Sequence, residues 1–93
     1  MGADYPPRPD DWPIALYATG TAPVEVVNMA RSGRPEGKVV GRFRVTAPKA
    51  TTWTKVMNQA RSEARSLGGD SVLVTKGDTF LMVIEGRVYR RTE

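Results

Sequence analysis

Between Lys38 and Thr46, apolar and polar side chains alternate. Val39, Gly41, Phe43 and Val45 fall on one face at period two, and Lys38, Val40, Arg42 and Arg44 on the other. The segment therefore predicts a strand with one buried face and one cationic face. Further on, the period changes. Trp53, Val56, Met57, Ala60, Ala64 and Leu67 recur at three- and four-residue spacing, which predicts an amphipathic helix over 51–67. Pro48 and then Thr51 or Thr52 supply its start, because a threonine hydroxyl accepts from the free N–H groups of a first turn. Small side chains at Ala60 and Ala64 predict close approach to a sheet. Val56, Ala60, Ala64, Leu67 and Phe43 are expected to be buried.

The stretch "ARSLGGDSVLV", residues 64–74, ends that pattern. Gly68 follows the last periodic residue, where the left-handed conformation costs glycine little. Gly69 and Asp70 complete a turn, and residues 71–75 predict a strand. An α-to-β corner accounts for this junction, with Asp70 as a turn residue.

Shorter runs are read from composition. "IALYA", residues 14–18, and the β-branched "VEVVNM", residues 24–29, predict strands, with a loop over 30–37. "KGDT", residues 76–79, reads as a hairpin turn. Residues 80–91 read as two strands turning at Glu85-Gly86 or as one long strand kinked by a bulge at Gly86. The long strand is favoured, because Gly86 lacks the Asn-Gly or Asp-Gly partner of a tight hairpin. The order β-(β)-β-α-β-β predicts an α+β domain over 14–93: a single helix packed on one face of a small, mainly antiparallel β-sheet. Residues 1–13 carry Pro6, Pro7, Pro9 and Pro13 and predict an extended leader or tether, which Trp12 can pin to the domain.

Composition narrows the chemistry. The 93 residues suffice for one domain and carry a net charge of +4. With no cysteine and no histidine, disulfides, thiolate chemistry and the commonest general base are excluded. Among the acids only Asp10 and Asp11 adjoin, and no calcium-loop spacing occurs. Ser32, Ser62, Ser66 and Ser71 sit in no nucleophile motif, and "ARSGRPEGK" has the wrong glycine spacing for a phosphate-binding loop. The expectation is a protein that is not an enzyme and takes no cofactor or metal. No apolar run approaches the ~18 residues of a transmembrane segment, and "MGADYPPRPDD" has neither the basic nor the apolar region of a signal peptide.

The candidate site is cationic. Arg42 and Arg44 share a strand face, and Arg87, Arg90 and Arg91 lie along the last strand. If the two strands are neighbours, these arginines form one exposed patch suited to an acidic protein surface or an anionic ligand. Nucleic acid is the less favoured ligand, because Phe43 has the wrong parity and Tyr89 is the one aromatic in range.

The segments "VVGRFRV", "ARSLGGDSVLV" and "IEGRVYR" also form a pattern. In it, residues 38–91 resemble a family of small bacterial domains labelled heavy-metal-binding and, more distantly, the outer-membrane lipoprotein sensor of the Rcs envelope-stress phosphorelay. Gly41, Ala64, Leu67, Gly68, Asp70, Val72, Gly86 and Val88 fill that pattern; Gly69 and Ser71 stand where alanines are usual. The family's metal label and the sensor's disulfides do not carry over to a chain without Cys or His. The resemblance implies a non-catalytic interaction or ligand-binding module, the soluble domain of a bacterial envelope lipoprotein, with the Pro-rich leader as the spacer after a lipidated cysteine. An envelope location is thus favoured over a cytoplasmic one, and a basic nucleic-acid-binding module is the alternative.

Overall fold

A computed structural model describes residues 5–46 and 52–91. Its elements are β1 (Ala15–Ala18), α1 (Val24–Met29), β2 (Lys38–Thr46), α2 (Trp53–Ser66), β3 (Ser71–Asp78) and β4 (Val83–Arg90). The strands form one four-stranded sheet in the order β1-β3-β4-β2. β1 runs parallel to β3, while β4 is antiparallel to both β3 and β2. The class is α+β, as the alternation of periods predicts.

Helix α2 covers one face of this sheet. It buries Val56, Met57, Ala60 and Ala64 against Phe43, Val45, Val72, Val74, Ile84 and Val88. The alanines allow the backbones to close: a Cβ on Gly41 of β2 would lie 2.7 Å from Leu67 Cδ1 at the helix end. Leu67 itself is only half-buried, packed at the margin of the core. Thr52 caps the helix N-terminus by accepting from the Lys55 N–H.

At the other end the "SLGGD" corner is a Schellman closure. Gly68 has φ +76°; its N–H donates to Arg65 O, and the Gly69 N–H donates to Ala64 O. Two of the helix's open carbonyls are thereby satisfied. A Cβ at Gly68 would also lie 2.7 Å from Tyr5 Cβ and 2.9 Å from Pro6 O. Gly68→Val is therefore expected to lower stability by at least about 1 kcal/mol from left-handed strain alone. Chemical denaturation reads this directly, and an unchanged midpoint would contradict it.

Several local expectations need correction. "VEVVNM" is the helix α1, not a strand. The N–H groups of Val26 and Val27 both donate to Pro23 O, and the turn buries Val26 while Val24 and Val27 face solvent. Strand propensity is a packing preference more than a backbone one, and a six-residue run with one buried anchor yields to its context. In β2 the register shifts between Val39 and Gly41. Val39 is consequently 48% exposed, Val40 packs on the core, and Lys38 turns toward Tyr5, 5.0 Å from its ring centre. Lys38 thus leaves the face of Arg42 and Arg44.

Strand β3 continues to Asp78, so "KGDT" belongs largely to the strand and the turn is Thr79–Met82. There the Asp78 carboxylate accepts from the Leu81 N–H, and Phe80 is 88% exposed. β4 is a single strand that pairs on both sides of Gly86. The irregularity lies opposite, on β3, where the register shifts between Val74 and Lys76 and leaves Thr75 as the extra residue. The Thr75 hydroxyl donates to Glu85 O.

The leader residues 5–13 lie against the domain. The Arg8 N–H donates to Arg65 O, and Trp12 packs on the core.

Candidate functional site

Two constellations of polar side chains stand out, one on each side of the sheet. On the face away from α2, register places side chains in rows. Arg42 of β2 stands directly opposite Arg87 of β4, and Arg87 opposite Leu73 of β3. Leu73 in turn stands beside Tyr17 of β1. Directly paired residues point to the same side of a sheet; Tyr17, Leu73, Arg87 and Arg42 therefore cross the outer face in one row. Tyr89 lies two residues from Arg87 along β4, on the same side, opposite Ser71. Arg44 stands opposite Glu85.

Both Arg42 and Arg87 are exposed. Among the described residues neither makes an ion pair, and Glu85 is engaged instead by Lys76 at 3.6 Å. A shallow groove runs over this face. Gly33, Arg34 and Pro35 form its wall, and Leu73, Thr75, Arg87 and Tyr89 its floor. It adjoins a hollow bounded by Thr75, Arg87, Arg42 and Glu85. Such an arrangement can hold an anion between the Arg42 and Arg87 side chains.

Of the predicted patch, Arg42, Arg44 and Arg87 share this surface, whereas Arg90 and Arg91 do not. Arg90 points to the helix side, where its Nη1 donates to Gly68 O at 2.7 Å and its guanidinium lies 4.4 Å from the Tyr5 ring centre. Arg87 and Arg90 are three residues apart, an odd interval that puts them on opposite faces of a strand; that signal was already present in the sequence. Arg91 lies past the end of β4, where strand parity no longer applies; its N–H donates to Asp70 Oδ2 at 2.8 Å and it borders a separate hollow with Trp12, Met29 and Arg31. Arg34 and Tyr17 join the surface unanticipated, since only the strand order and the fold of the 31–37 loop bring them there.

The second constellation centres on Asp70. Oδ1 accepts from Arg8 Nη2 at 2.8 Å and from Trp12 Nε1 at 3.0 Å, while Oδ2 accepts from the Arg91 N–H. Arg8 also stacks 4.3 Å from the Trp12 ring centre, and Arg65 Nε donates to Trp12 O. Burial by itself would raise the Asp70 carboxyl. The Arg91 amide, the Trp12 indole and the Arg8 and Arg90 guanidinium groups outweigh it and hold the group below the ordinary aspartate value. A carboxylate so fully engaged is a fastener for the leader, not a proton donor near neutral pH.

Among the described residues no group of three or more acidic side chains could hold a metal ion, and no helix is long and apolar enough to cross a membrane. No family model, curated protein or solved structure matches this chain.

Proposed function

We propose that this protein is a non-catalytic binding module whose outer sheet face receives an anionic partner. The observation that carries this reading is the Arg42–Arg87 pair: two arginines set directly opposite each other by the β2–β4 register, exposed and without an ion-pair partner among the described residues. Like charges placed directly opposite one another on a sheet cost stability, and a bound anion converts that cost into affinity. Arg34 on the groove wall and Arg44 farther along β2 on the same face extend the positive field.

Heparin affinity chromatography tests the reading with a simple polyanion. The double charge reversal Arg42→Glu with Arg87→Glu is expected to weaken retention about tenfold or more at low salt. The same reversal at the exposed Lys55 and the partly exposed Arg61, both on α2 and so across the sheet from Arg42 and Arg87, changes net charge equally and is expected to leave most of the retention intact. Equal losses from both pairs would reduce the effect to net charge and overturn the reading. An envelope setting is supported by the resemblance of residues 38–91 and by nothing in the surface itself; fractionation of the full-length protein into membrane and soluble pools tests it.

A further inference from the structure

We infer that the anion received by the outer face is a single-stranded nucleic acid, its bases laid on Tyr89 and Tyr17 and its phosphates held by Arg42, Arg87 and Arg34. The inference rests on the anion-binding reading above and goes further by naming the polymer.

Three observations favour it over an acidic protein. First, the cations are arginines, which bind phosphate through two parallel N–H groups and also stack on bases; a carboxylate uses only the first property. Second, they are interleaved with planar and apolar surface. Tyr17 and Leu73 continue the row of Arg87 and Arg42, and Tyr89 lines the groove with Pro35. An acidic chain gains little from tyrosine faces, whereas every base has a face to place on them. Third, the shape suits splayed bases. The face spans three inter-strand intervals, about 14 Å, and is walled on one side by Gly33, Arg34 and Pro35. An open sheet of this width takes two or three unstacked bases, while a duplex keeps its bases stacked on each other and out of reach.

Fluorescence anisotropy with labelled probes tests this on the full chain. The probes are oligo-dT of ~12 nucleotides, an abasic strand of equal length, a duplex of equal length and an oligo-glutamate peptide of equal charge. Oligo-dT is expected to bind about tenfold or more tightly than each of the other three, since stacking adds to the phosphate contribution. Arg42→Ala with Arg87→Ala is expected to lower the slope of log affinity against log salt by about 1.4, two contacts at about 0.7 each for a single strand. Tyr17→Leu and Tyr89→Leu are each expected to weaken oligo-dT about fivefold or more with the slope unchanged. Both tyrosines are half-buried; circular dichroism reports whether each variant still folds, and the comparison of oligo-dT with the abasic strand carries the test where one does not. If the abasic strand or the peptide binds as tightly as oligo-dT, and binding still depends on Arg42 and Arg87, the nucleic-acid inference falls and the anion-binding reading stands. Tighter binding of the duplex also overturns the inference. If no probe responds to the arginine substitutions, both readings fall.

Discussion

Asp70→Ala lowers the stability of the domain by about 2–3 kcal/mol, less than the ~3–5 kcal/mol for breaking a fully buried ion pair, because its side chain and that of Arg8 retain 12% and 19% exposure. The loss has several sources at once. The Arg8 guanidinium, the Trp12 indole N–H and the Arg91 N–H all lose their acceptor; the first two are partly buried, and an unpaired buried donor costs more than its bond was worth. In a domain of this size the melting temperature falls by roughly 10–20 °C. Trp12 fluorescence shifts with it as residues 5–13 detach. The carboxyl also sets a pH dependence. Its value in the folded protein lies below the ordinary one, so its charge contributes fully above about pH 4 and the contribution is lost as pH falls through the folded value. Asp70→Ala flattens that acid limb. An unchanged melting temperature, or an acid limb as steep as in the parent protein, would show that Asp70 does not fasten the leader.

Gly86→Ala destabilises by about 3 kcal/mol or more, the upper part of the range for overpacking. A Cβ there would overlap the carbonyl oxygen of Leu73 and lie 3.0 Å from Phe43 Cε1. The first obstacle is backbone in the middle of the sheet, which cannot yield as a side chain tip does. Phe43 stands directly opposite Gly86 in register and covers the gap that the missing side chain leaves. Gly20→Ala is the control: nothing lies within 4 Å of its Cβ position, and its effect stays within about 0.5 kcal/mol. Urea denaturation of the two variants measures the difference. Near-parental stability for Gly86→Ala would mean that β3 and β4 are not packed as closely as described.

The elements most legible in sequence were those whose pattern outlasts local accidents. Helix α2 repeats its apolar spacing over 14 residues, and its glycine stop has one physical explanation. The α1 segment offers only six residues, too few for period 3.6 to separate from period two. The Val39–Gly41 irregularity defeats parity by one residue, which suffices to send Lys38 to the opposite face. For the candidate surface, Arg42 and Arg44 were legible from alternation, and Arg87 from the adjacency of β2 and β4. Tyr17 was not, because only the order β1-β3-β4-β2 aligns it with them. Nor were the partners of Asp70, which lie 62, 58 and 21 positions away in the chain. A turn aspartate and an ion-pair hub look identical until the leader returns.

The fastening of the leader also has a consequence for engineering. Tyr5 lies against Gly68 and Arg90, while Arg8 and Arg91 meet on one carboxylate. The described chain therefore enters and leaves the domain at the same pole. Proteins with this geometry tolerate circular permutation and insertion as a guest into the loop of a host. A short linker joining the two ends, with new termini opened at the exposed Thr79–Met82 turn, would preserve every strand pairing. It would also turn the leader from a flank into an interior segment of the chain.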